Sequence, residues 1–129
     1  MNTLLWQIEM EKCMSSNDTQ VPAIEVDVKS VHDWQTQRQD WVLIDCREAS
    51  EHATASIEGG VLLPMSQWQE VSSKMDEFAG KHVVVHCHHG GRSLRVARWL
   101  RENGFPSAQS MAGGIDAWSQ EIDPKIARY

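Results

Sequence analysis

Residues 41 to 45, WVLID, form a near-continuous apolar run of strand length. A strand without polar alternation is one covered on both faces, so this chain must place helices above and below its sheet. The rest of the sequence supplies them. "AIEVDV" reads as a short strand, and Ser30, with Asp33 three residues on, reads as the capped start of a helix over "VHDWQTQRQ". "VLLP" is a further strand. "SQWQEVSSKMDEFAG" has helical spacing in Trp68, Val71, Met75 and Phe78, with Gly80 as its C-cap. "HVVVHC" is the next strand, and "RSLRVARWLRENG" puts Leu94, Ala97 and Leu100 on one helical face before ending at Asn103-Gly104. A weak strand near "AQSM" and a helical "IDAWSQ" follow. Strands alternating with helices through short Gly or Pro connections predict an α/β fold, a central parallel sheet flanked by helices on both faces.

The 129 residues suit one domain with its own core. Residues 1–20 differ in character and end in a polar "SSNDTQ" linker, so they are expected to be an N-terminal extension, a short helix or a loose tail, with Met14 as an alternative start. The domain is expected over residues 21–129. The N-terminus lacks a basic leader, and Gln7, Glu9 and Glu11 interrupt its apolar residues, so it reads as neither a signal peptide nor a membrane span. Cys13, Cys46 and Cys87 are odd in number, irregularly spaced and without a Cys-x-x-Cys pair, which points to a reducing compartment, the cytoplasm. Twelve Lys and Arg against 18 Asp and Glu leave a net charge of -6 with no run of like charges, which argues against nucleic acid as a partner.

Ligands of parallel α/β sheets bind beyond the carboxyl ends of the strands, and Cys87 stands where "HVVVHC" ends. A thiol is a nucleophile only as thiolate, and the N-terminus of a following helix favours that form. Gly90 and Gly91 let the chain curl so that successive amides point at one spot, and Ser93 opens the helix. Arg92 can add a cationic fork or brace the loop through its carbonyls. Such a loop holds a sulfur anion. The plainer alternative is a buried strand cysteine followed by a turn.

Cys87-His88-His89-Gly90-Gly91-Arg92 has the form Cys-x4-Arg. Upstream lie "LIDCRE" and "EHATASIEGGVLLP", and downstream "GGIDAW", residues 113 to 118. With these motifs in this order, the sequence resembles a single-domain rhodanese, a sulfurtransferase, over most of its length. It departs from that pattern at Ala55-Ser56-Ile57 and Gly60, and in carrying two histidines where thiosulfate-preferring relatives often have basic residues. The resemblance implies that the Cys87 thiolate takes the outer sulfur of a donor such as thiosulfate or a persulfide. It holds that sulfur as a persulfide and passes it to cyanide or a thiol, by ping-pong covalent catalysis. The loop residues His88, His89, Gly90, Gly91, Arg92 and Ser93 would bind the substrate sulfur, and Asp45 and Arg47 would form a supporting salt bridge. Neither a metal nor an organic cofactor is implied. A protein sulfur donor or acceptor is compatible with this chemistry, and no membrane partner is implied.

Three other readings bear on the same residues. Cysteine-based phosphatases and arsenate reductases also hold a thiolate in an anion nest, but with five residues between Cys and Arg rather than four, a larger cradle. "HCHH" with His52 supplies metal-ligand chemistry, yet adjacent residues converge poorly, and His86 and Cys87 should face opposite ways on a strand. A non-enzymatic interaction module would normally lack the cysteine that this loop retains. Cys46 could resolve a Cys87 persulfide as a disulfide, although strand alternation turns it toward the core as a small hydrophobe. The tryptophans at 6, 34, 41, 68, 99 and 118 are expected as packing residues, with Trp118 anchoring the final helix.

Overall fold

The computed structural model describes residues 21–129. The expectations for residues 1–20, Cys13 and Trp6 among them, lie outside the described residues. Along the chain run β1 (Glu25–Val26), α1 (Val28–Gln37), β2 (Trp41–Asp45), α2 (Ala49–Thr54) and β3 (Val61–Leu62). A 3-10 turn at Met65–Gln67, α3 (Trp68–Val71) and a second 3-10 segment (Ser72–Phe78) lead to β4 (His82–His86). The remaining elements are α4 (Gly91–Arg101), β5 (Gln109–Met111) and α5 (Gly114–Glu121). The five strands form one parallel sheet in the order β1-β5-β4-β2-β3.

β2 and β4 pair in register from Trp41↔His82 to Asp45↔His86 and form the centre of the sheet. Successive side chains point to opposite faces, so their apolar residues feed two cores. Val42, Ile44, Val83 and Val85 pack with Val71 and Met75 and with Val96, Ala97 and Leu100 of α4. Leu43 and Val84 pack on the other side with Val28 and Val31 of α1 and Ile115 and Trp118 of α5. That is why β2 reads as apolar at consecutive positions. Each fully buried side chain of this kind contributes about 1.5–3 kcal/mol, and Ile44, Val84 and Val85 are wholly buried. Trp118 anchors α5 in its core, as its place in the motif led us to expect.

Local details differ from the sequence reading. α1 starts earlier, capped by Asp27, whose carboxylate accepts from the Ser30 amide at 2.9 Å. Asp and Ser cap about equally well, and the earlier start lets Val28 and Val31, one turn apart, reach the core together. β1 shrinks to two residues as a result. The stretch expected as one helix over 66–80 is broken into 3-10 and α segments around Ser72 and Ser73, with Gly80 in the turn beyond. Val71 and Met75 still reach the core from it. α2 was not expected at all. It buries none of its residues, so it has no apolar stripe to betray it; its start is marked instead by the Glu48 amide donating to the Glu51 carboxylate at 3.1 Å.

Candidate active site

The ends of β2 and β4 lie side by side, the Cys46 amide donating to the His86 carbonyl at 3.1 Å. Strand alternation then sends Cys46 and Cys87 into the core beneath α4, while Asp45 and Leu43 share the other parity. The turn from β4 into α4 is made at Gly90, the helix N-cap, whose φ of 113° lies where side chains are strongly disfavoured. This turn aims donors at one atom. The Gly90 amide donates to Cys87 Sγ at 3.1 Å and the Ser93 amide at 3.4 Å. The Ser93 hydroxyl also lies 3.4 Å from the sulfur and 2.6 Å from the Ser110 hydroxyl on β5. With the sulfur ionised, Ser93 can donate to it while accepting from Ser110.

The neighbouring Cys46 thiol, as a donor, is the largest influence lowering the Cys87 pKa to about 4; burial opposes, and the Ser93 and Gly90 donors reinforce. The same interaction, with burial, pushes the Cys46 thiol far up. One thiol thus stays protonated and donates while its neighbour is a thiolate at neutral pH. Cys46 is a core residue, as strand alternation indicated, but one in contact with the reacting sulfur. Cys87 itself is only 1% exposed, so its sulfur forms the floor of the site.

Helix α5 backs the loop. The amides of Ile115 and Asp116 donate to the carbonyls of Cys87 and His88 at 2.9 and 3.1 Å. Gly114 allows this approach, because a side chain there would overlap both carbonyls. With its carbonyls engaged from behind, the loop presents its amides forward to the sulfur.

Asp45 and Arg47 form a buried, two-pronged ion pair at 2.8 and 2.7 Å. Arg47 also donates to the Ala55 carbonyl at 2.6 Å, which ties down the loop after α2, and His52 Nδ1 lies 2.8 Å from Asp45. Burial alone would raise the Asp45 carboxyl; Arg47 and the neighbouring histidines outweigh it and hold the group at about 2. Neither side chain hydrogen-bonds to the sulfur, so the pair stands where a support would. Arg92, expected either to add a cationic fork or to brace the loop through its carbonyls, is directed to an acidic side chain instead. It makes two bonds to Glu51 of α2, at 2.7 and 2.9 Å. The Tyr129 hydroxyl donates to Glu51 and accepts from Arg47, each at 2.8 Å, joining the two pairs into one network. Its ring stacks on His88, which stacks on His89, with centroids 3.9 Å apart in both cases.

Glu51, Ser110 and Tyr129 escaped the sequence reading. Nothing local marks them, since each acts only through contacts made across the fold. Among the described residues the ligand atoms of "HCHH" and His52 do not converge on one point, and His52 is engaged by Asp45. His88, His89 and Asp116 do bring ligand atoms within 4.8 Å of one another. Stacked imidazoles cannot aim their in-plane lone pairs at one point, however, and Asp116 is already held by Arg128 at 2.9 and 3.3 Å. Above the sulfur opens a cleft of about 540 Å³ lined by His88, His89, Arg92, Arg95 and Arg98. No helix among the described residues is long and apolar enough to cross a membrane.

A family model for the rhodanese-like domain matches residues 27–121. The rhodanese-like/PpiC domain-containing protein 12 of Arabidopsis thaliana, a chloroplastic protein, is 36% identical over 118 residues, 84% of this chain but only 38% of that protein. The thiosulfate sulfurtransferase GlpE of Coxiella burnetii is 35% identical over 82 residues, covering 64% of this chain and 75% of the relative. Among solved structures, a rhodanese-related protein from Thermoplasma volcanium superposes with a TM-score of 0.70 at 22% identity, covering 83% of this chain and all of that one.

Proposed function

The chain belongs to the rhodanese-like domain family, and on that premise we propose that it moves a sulfane sulfur from thiosulfate or a persulfide to a thiol or cyanide through a persulfide on Cys87. The observation that carries this reading is the convergence of the Gly90 and Ser93 amides on one buried sulfur. With thiosulfate, the Cys87 thiolate attacks the outer sulfur, the donor's S–S bond breaks, and sulfite leaves with the bonding electrons. The new terminal sulfur is anionic and sits toward the open cleft. Cyanide or a thiolate then attacks that sulfur, and Cys87 departs as the thiolate it began as. Both half-reactions leave negative charge on a sulfur within reach of the same preorganised donors, so the site is complementary to charge throughout the cycle. Each step balances with donor and acceptor alone.

Arg92 braces the loop to α2 through Glu51 and so fixes the amides that face the sulfur. Asp45 and Arg47 anchor the other end of that network. The free thiols of Cys46 and Cys87 fit the reducing cytoplasm, the compartment we propose. The test is mass spectrometry of reduced protein after incubation with thiosulfate and then cyanide, beside Cys87→Ser. A one-sulfur gain on the Cys87 peptide, discharged by cyanide as thiocyanate, is the expected result. A Cys87 left unmodified by both thiosulfate and small persulfides would overturn it.

A further inference from the structure

We propose that the face of α4 running from the Cys87 cleft to Trp99 is a docking surface for an acidic segment of a partner protein, whose cysteine exchanges sulfur with Cys87. The proposal rests on the sulfurtransferase reading and adds the class of partner.

Two arginines set the charge of this face. Of the seven arginines among the described residues, Arg38, Arg47, Arg92 and Arg128 are paired with carboxylates, and Arg101 donates to the carbonyls of Ala108 and Pro22. Arg95 and Arg98 are exposed, both line the cleft, and neither has a carboxylate within 4.0 Å among the described residues. In a chain of net charge -6 such a local excess of positive charge is set against the background. It favours an anionic visitor at the mouth.

The apolar part of the face fixes the visitor's size. Arg92, Arg95 and Trp99 follow one another at helical spacing, forming a stripe that leads away from the sulfur. Arg95 is shared between the cleft and an adjoining apolar hollow of about 240 Å³, lined also by Met65, Trp68, Val96 and Trp99. Trp99 is 42% exposed and meets Trp68 edge-on, with ring centroids 5.6 Å apart. Each helical turn advances about 5.4 Å, so a thiosulfate seated over Cys87 leaves Trp99 untouched. A peptide can place carboxylates on Arg95 and Arg98, an apolar side chain in the hollow, and a cysteine over the buried sulfur. Tryptophan and arginine are also among the residue types enriched at the hot spots of protein interfaces.

The test uses the 129-residue chain loaded with sulfur, and two synthetic acceptor peptides. One carries two aspartates and a leucine ahead of its cysteine; the other has lysines in place of the aspartates. In each transfer the peptide thiolate attacks the outer sulfur of the Cys87 persulfide, forms the peptide persulfide, and releases the Cys87 thiolate. The acidic peptide should discharge the enzyme about tenfold faster than the basic one at low salt, with the gap closing as salt rises. Arg95→Glu with Arg98→Glu should reverse that order, and Arg95→Gln with Arg98→Gln should abolish it. Trp99→Ser should slow the acidic peptide several-fold and leave discharge by cyanide unchanged. Equal rates for the two peptides, from a protein whose Cys87 loads and discharges normally, would overturn the docking surface and leave the sulfurtransferase reading standing. Sedimentation showing a dimer that Trp99→Ser dissociates would also overturn it, by making a second copy the occupant. Failure of Cys87 to load from any donor would sink the underlying reading instead.

Discussion

Replacing Cys46 with alanine removes a thiol that touches no substrate, yet it should change how Cys87 ionises. Cys87 lies at about 4 against an ordinary value of 9.0, with the Cys46 thiol the leading cause. A hydrogen bond to a charged group is worth about 1.5–3 kcal/mol, and one pKa unit corresponds to about 1.4 kcal/mol. Loss of this donor should therefore raise the Cys87 pKa by about 1–2 units, to between about 5 and 6. The small void left behind should cost about 1–2 kcal/mol of stability. The assay is the pH dependence of iodoacetamide alkylation at Cys87, followed on the Cys87 peptide by mass spectrometry. The Cys46→Ala midpoint should move up, whereas Cys46→Ser, which keeps a donor, should stay near the parent. At pH 5 roughly nine-tenths of the parent is thiolate, against about a quarter of an alanine variant with a midpoint of about 5.5. Sulfur loading should fall in proportion at pH 5 and scarcely change at pH 7. An alanine variant titrating with the parent, or a parent midpoint near 8, would refute the reasoning.

Arg47→Met leaves the Asp45 carboxylate buried without its main partner and should cost about 3–5 kcal/mol, a fall in Tm of about 10–20 °C by circular dichroism. Asp45→Asn combined with Arg47→Met should recover part of that loss. Because the folded Asp45 carboxyl lies below its ordinary 3.8, the stability it contributes is fully present above that value and is lost as pH falls through about 2. Arg47→Met should therefore flatten that acid limb in denaturation curves recorded between pH 2 and 5. Glu51→Gln frees Arg92 at a partly exposed site, so it should cost less than about 1 kcal/mol of stability while lowering kcat/KM for sulfur transfer several-fold; an unchanged kcat/KM would remove Arg92 bracing from the mechanism. Gly114→Ala should destabilise by more than about 2 kcal/mol and slow sulfur loading, measured as persulfide formed over time.

The parallel sheet was legible because its central strands are apolar at consecutive positions, a pattern with few other solutions. The cradle was legible for a different reason. The Gly90 and Ser93 contacts to Cys87 span only a few residues of chain, so loop spacing alone implied them. The network behind the loop is a matter of tertiary packing: Glu51 meets Arg92, and Tyr129 meets both Arg47 and Glu51, only after the chain has folded. For that reason the Glu51 partner of Arg92 was not legible in the sequence. α2 was missed because a helix that buries nothing carries no apolar period. The start of α1 turned on a choice between two competent caps, Asp27 and Ser30, which burial of Val28 decided.

The backing of the loop by α5 limits what can be transplanted between relatives. The amides of Ile115 and Asp116 hold the Cys87 and His88 carbonyls, and Gly114 leaves the room to do so. Half of the geometry that faces the sulfur is therefore encoded behind it, in a separate stretch of chain. The Cys87–Arg92 segment is not a portable cassette. A chimera that imports another loop while keeping its own α5 start inherits a mismatched mould, and an exchange of donor preference should succeed only when both halves travel together.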